Sequence, residues 1–156
     1  MNTDNREELQ RIIGTDYKLQ WVIGHGGMST VWLADDPDHD REVAIKVLRP
    51  EFSANEEFLT RFRNEAHAAE GINSENVVAT YDYREVPSGE GYDMCFIVME
   101  YIRGESVADL IHREGYLEES VALDILEQAA HGLSVIHEMG LVHRDIKPGN
   151  LMLTQN

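Results

Sequence analysis

The chain has 156 residues, enough to bury one fair core. Its 13 Lys and Arg stand against 29 Asp and Glu, a formal charge of −16, which argues against nucleic acid as a partner and marks a well-solvated surface. The one cysteine, Cys95, excludes an internal disulfide and fits a reducing, cytoplasmic setting, and no run of about 18 apolar residues is present to span a membrane.

Residues 1–15 read as a polar lead without a secretory signal, with a short helical turn over 6–13. Residues 17–23 alternate and are rich in β-formers, so they predict a strand. Gly24, Gly26 and Gly27 make a tight turn, and 30–34 is the returning strand of a hairpin. A turn over 35–40, marked by Pro37, leads to a third strand over 42–48. Residues 55–71 predict a helix. Phe58, Leu59, Phe62, Ala66 and Ala69 recur at three- and four-residue steps, and Gly71 is a natural stop. Residues 76–83 and 94–101 read as two further strands around a loop at 87–91. Cys95 then sits as a small buried hydrophobe in a strand. Five strands and one helix make an α+β unit.

Composition shifts at 102–104, read as a linker. Residues 106–114 predict a short helix with Ser106 as its N-cap. Residues 118–139 predict a longer one, with Val121, Ile125, Ala129, Leu133 and Ile136 as its apolar stripe. Another strand begins at 151–153.

Three segments carry chemistry. Gly24-His25-Gly26-Gly27-Met28-Ser29-Thr30-Val31 contains glycines without a Cβ, so backbone N–H groups can close over an anion. In Val43-Ala44-Ile45-Lys46 the lysine shares a strand face with Ala44 and Leu48, and on so apolar a face it needs a partner. In His143-Arg144-Asp145-Ile146-Lys147-Pro148-Gly149-Asn150, an Asn follows an Asp at five residues. Each segment alone is weak. In this order and at this spacing, residues 16–156 resemble the first half of a bacterial, eukaryotic-like serine/threonine protein kinase, most of all the receptor-type kinases of actinobacteria.

The resemblance implies an α+β fold of protein-kinase type. A five-stranded antiparallel N-lobe with one helix would span 16–101 and a hinge 102–104. The first helices and catalytic loop of a C-lobe would fill 105–156. It implies ATP and Mg²⁺ as cofactors and proteins bearing Ser or Thr as substrates. Gly24, His25, Gly26, Gly27, Met28 and Ser29 would cover the phosphates, although Ser29 stands where the third glycine of the pattern belongs. Lys46 would meet the α- and β-phosphates and pair with Glu65, with Glu70 as a rival acid too near the helix end. Met99 would be the gatekeeper, and the backbones of Glu100 and Ile102 would bond the adenine. Val31, Ala44 and Met152 would line the ring. Asp145 would be the catalytic base, Lys147 would stabilise the transferring phosphate, and Asn150 would hold Mg²⁺. Lys147 followed by Pro148 resembles the serine/threonine class. Arg144 resembles the arginine that pairs with a phosphorylated activation loop, and His143 reads as a packing residue. Membrane anchors in this family lie further downstream.

The 156 residues contain no Asp-Phe-Gly and no Ala-Pro-Glu after residue 150. The stretch by itself is therefore expected to be inactive, with the stripe on helix 118–139 uncovered and open to self-association, through that helix or through the N-lobe. Two other readings stand beside this one. A non-catalytic nucleotide-binding or scaffold module is disfavoured by the set Lys46, Glu65, Asp145 and Asn150. A small-molecule phosphotransferase is disfavoured by Lys147-Pro148 and the full Val-Ala-Ile-Lys.

Overall fold

The computed structural model describes residues 2–140 and 148–154. The chain divides into two compact units. One comprises residues 1–71 and 79–101, the other 72–78 and 102–156.

The first unit is a five-stranded antiparallel sheet with a helix on each face. Its strands are β1 (Lys18–His25), β2 (Ser29–Asp36), β3 (Arg41–Leu48), β4 (Thr80–Pro87) and β5 (Asp93–Glu100), in the order β1-β2-β3-β5-β4. Helix α1 (Arg6–Ile13) covers one face and α3 (Glu56–Ala69) the other, with a short α2 (Pro50–Ser53) leading into α3. Successive side chains of a strand point to opposite faces. Val43, Ile45, Val47, Met94, Phe96 and Val98 accordingly pack with Leu9 and Ile13 of α1. Leu48, Cys95 and Ile97 pack with Phe62 and Ala66 of α3. This double cover is why 43–48 and 94–99 read as almost unbroken apolar runs rather than alternating ones.

Two expectations shift. The polar lead is a structural layer of the first unit, since Leu9 is fully buried and Asn5 caps α1 by accepting from the Glu8 N–H. Its apolar residues are few but all fall on one helical face. The strand expected at 76–83 runs instead from Thr80 to Pro87, and 76–78 belong to the other unit. Charged Asp82, Arg84 and Glu85 conceal this strand from an apolar pattern. They are tolerated there because Arg84 pairs with Asp82 and Asp16, and Glu85 with Arg63.

In the second unit, β6 (Gly104–Ser106) pairs antiparallel with β7 (Met152–Thr154), so Gly104 opens a strand rather than closing a linker. Helix α4 (Val107–Glu114) starts in a full capping box: Ser106 Oγ accepts from the Asp109 N–H, and Asp109 accepts from the Ser106 N–H. Helix α5 (Glu119–Glu138) buries Gly132, but Leu123 and Leu126 remain 58% and 62% exposed. Among the described residues no helix is long and apolar enough to cross a membrane.

Gly104 lies so close to its partner strand that an added Cβ would sit 1.8 Å from the Leu153 carbonyl oxygen. Gly104→Ala should therefore part β6 from β7, at no less than the ~1–3 kcal/mol of an overpacked site. Amide exchange should accelerate at 104–106 and 152–154 while the β1–β5 sheet keeps its protection. Unchanged exchange in those six residues would count against this.

Candidate functional site

The site is built on one face of the first unit. Lys46 lies on β3 between Val31 of β2 and Ile97 of β5. Its face is the one that α3 covers, so its ammonium can reach α3. Lys46 Nζ donates to Glu65 Oε1 at 2.7 Å. Phe62, one turn earlier on α3, is 1% exposed and fixes the helix against Leu48 and Ile97. Asn55 caps α3 by accepting from the Glu57 N–H at 2.9 Å. Glu70 is at the helix end, 3.6 Å from His67.

A second tie holds α3 to the sheet. Arg63 makes a bidentate pair with Glu85 of β4, and the Tyr83 hydroxyl donates to the same carboxylate at 2.7 Å. The His67 and Tyr83 rings meet edge-on at 5.5 Å. Hydrogen bonds from Arg63 hold the Glu85 carboxyl below its ordinary range. Burial opposes this, and Tyr83 adds to the lowering. A carboxyl depressed by folding stabilises the fold above its unfolded value, and that stabilisation disappears as pH falls through the folded value. Glu85→Gln should thus cost stability at neutral pH, yet lose less further stability than the native chain between about pH 5 and 3. Thermal melts across that interval test this, and parallel curves for the two proteins would refute it.

The glycine-rich turn joins β1 to β2. The Gly26 N–H bonds the Ser29 carbonyl at 2.8 Å, and Ser29 and Thr30 are buried at the root of β2. The Arg49 N–H bonds the Met28 carbonyl at 2.9 Å, and the Arg49 guanidinium donates to the Gly27 carbonyl. The turn, Val31, Lys46, Glu65, Phe52, Phe58 and Arg61 line a cavity of about 640 Å³. Sequence reasoning did not single out Arg49, Phe52, Phe58 or Arg61 for this site. Phe58 could be read only as a core position of α3, and Arg49 follows an apolar strand without any pattern of its own.

A smaller cavity of about 280 Å³ lies elsewhere on the first unit, among Asp16, Asp36, Arg41, Tyr81, Asp82 and Arg84. Most of its charged side chains are paired. Arg41 pairs with the buried Asp36 and stacks on Tyr81, and Arg84 bridges Asp16 and Asp82.

Ala44 is buried between Leu33 and Met99. The Glu100 N–H bonds the Ala79 carbonyl at 2.9 Å, and the Glu100 carboxylate accepts from the Ala79 N–H. Ile102, Asn150 and Met152 belong to the second unit, with Asn150 closing a short 3₁₀ turn and Met152 opposite Ser106. His143, Arg144, Asp145 and Lys147 lie outside the described residues.

The protein kinase domain family matches residues 17–156. The chain belongs to that family. It is 72% identical over 151 residues to the serine/threonine-protein kinase PknA of Corynebacterium glutamicum, covering 97% of this chain and 32% of that protein. It is 44% identical over 139 residues to PknA of Mycobacterium tuberculosis, covering 88% of this chain and 32% of the relative. The kinase domain of Mycobacterium tuberculosis PknI superposes with a TM-score of 0.77 at 27% identity, covering 91% of this chain and 55% of that one. The chain therefore spans about a third of the length of these PknA relatives.

Proposed function

We propose that the chain supplies the nucleotide-binding lobe and catalytic-loop segment of a serine/threonine protein kinase, which transfers the ATP γ-phosphate to protein hydroxyls. The observation that carries this reading is the Lys46–Glu65 pair at 2.7 Å, lining the same cavity as the glycine-rich turn.

Phosphoryl transfer asks for positioned phosphates and neutralised charge more than for covalent chemistry. Backbone N–H groups of the turn, apart from that of Gly26, which bonds Ser29, and the Lys46 ammonium are the donors this lobe offers to the phosphates. Glu65 holds the lysine extended toward them. Val31 and Ala44 are the apolar groups this lobe offers to the adenine ring, with Met99 as the gatekeeper. The Glu100 N–H bonds the Ala79 carbonyl, so the Glu100 carbonyl would be the group that receives the base's amino group.

Asp145 orients the substrate hydroxyl and accepts its proton, and Lys147 stabilises the phosphate in transit. A bound Mg²⁺ would neutralise charge on the phosphates, and Asn150 is the residue the motif offers it. Among the described residues, no group of three or more acidic, histidine or cysteine side chains is gathered to hold a metal. The 156 residues contain no Asp-Phe-Gly, the segment that would complete the metal site, so by themselves they should be inactive. The partly uncovered α5 and the N-lobe are surfaces through which the chain would self-associate.

The test is a kinase assay on a protein carrying this chain within a complete kinase domain, with peptides differing only in Ser, Thr or Tyr. Phosphate on Ser and Thr peptides supports the reading. Phosphate on a small alcohol alone, or on no acceptor, overturns it.

A further inference from the structure

Residues before position 17 precede the matched family domain, yet they bond to both stems of the glycine-rich turn. Thr3 is 4% exposed, and its hydroxyl lies 2.8 Å from that of the fully buried Thr30, the second residue of β2. The Trp32 indole N–H donates to the Thr3 carbonyl at 2.8 Å. Asp4 Oδ1 lies 3.1 Å from His25 Nε2, and His25 is the last residue of β1. The strap thus spans the strand entering the turn and the strand leaving it.

The strap is itself anchored. Helix α1 begins two residues after Asp4, with Leu9 and Ile13 in the sheet core. Gln10 donates to the Gly14 and Tyr17 carbonyls and accepts from the Leu19 N–H, which ties α1 to the start of β1. Through α1, the position of Thr3 and Asp4 is set by a large apolar interface rather than by their own contacts.

We propose that Thr3 and Asp4 are positioning residues for the nucleotide-binding turn: they hold its two stems at fixed separation and limit its opening. This rests on reading the turn as the phosphate-binding element. The two partners contribute unequally. The Thr3–Thr30 hydroxyl pair is buried, so losing one hydroxyl leaves the other without a protein partner. The Asp4–His25 pair is about half exposed and is weakened by water.

Hydrogen exchange tests this without relying on activity. In Thr3→Val the isosteric side chain keeps the packing and removes the hydroxyl. Exchange over 24–31 should accelerate about tenfold, the factor that one buried hydrogen bond sets. Exchange over 93–100, on β5, should not change. Thr3→Ser should restore the native pattern. Where ATP binds, Thr3→Val should weaken it several-fold, and in the complete kinase raise KM for ATP more than it lowers kcat.

Native exchange over 24–31 in Thr3→Val would overturn the proposal. So would acceleration spread evenly over the sheet, which marks a merely structural role. Failure of the native chain to bind ATP, with the exchange change still confined to the turn, would sink the nucleotide reading and leave the strap standing.

Discussion

Replacing Lys46 with methionine should lower peptide phosphorylation by the complete kinase about 10²–10³-fold, the usual cost of removing one donor aimed at transition-state charge. The same change should shift the unfolding temperature of the chain by no more than about 3 °C. The contrast follows from where the pair sits. Lys46 and Glu65 side chains are 27% and 48% exposed, so water competes for both charges. An exposed ion pair contributes only about 0–1 kcal/mol to folding. Methionine also keeps an unbranched stem in place of the lysine's. A large drop in stability would show that Lys46 is a structural residue, and unchanged turnover would remove it from the site.

Phe62→Ala should have the opposite profile. Phe62 is 1% exposed and packs in the cluster of Leu48, Ala66, Cys95 and Ile97, with the Tyr83 ring 6.2 Å away. Truncating a buried phenylalanine costs about 3–5 kcal/mol, because the site collapses only in part. For a chain of this size, that lowers the melting temperature by roughly 6–20 °C. Glu65 lies three residues further along the same helix, so a loosened α3 takes the carboxylate away from Lys46. Nucleotide affinity should fall together with stability. Urea denaturation with parallel ATP titration reads both quantities. Lost stability with full affinity would mean that α3 does not position Glu65.

The parts of the fold that were legible in the sequence are those where one physical signal dominates. β3 and β5 announce themselves because both faces of their central stretches are buried and nearly every position there is apolar. Ser106 is legible because a serine just before an apolar helical run is a favoured N-cap, and the structure adds Asp109 as its reciprocal partner. Helix α5 shows its 3.6-residue stripe over about four turns. Helix α1 was legible as a turn but not as a layer: Leu9, Ile12 and Ile13 are three apolar residues among polar ones, and only the sheet shows what they cover. β4 was displaced because its charged side chains are stabilised by distant residues, Asp16 and Arg63, that no local pattern contains. β6 is three residues long and exists only through its pairing with β7.

The candidate site divides the same way. Lys46 stood out as a charge in an apolar strand, but its partner lies 19 residues away and was assigned by resemblance to a family rather than by spacing. Arg49 and the Thr3–Asp4 strap carry no pattern, because a single side chain bonded to a distant backbone or hydroxyl leaves no periodic trace in sequence.

The most direct test of the central claim is calorimetric titration of the chain with ATP, with and without Mg²⁺, beside the Lys46→Met variant. The nucleotide-lobe account predicts binding to the native chain that is lost or much weakened in the variant, with only a small gain from Mg²⁺. No binding by the folded native chain, or equal binding by the variant, would contradict it.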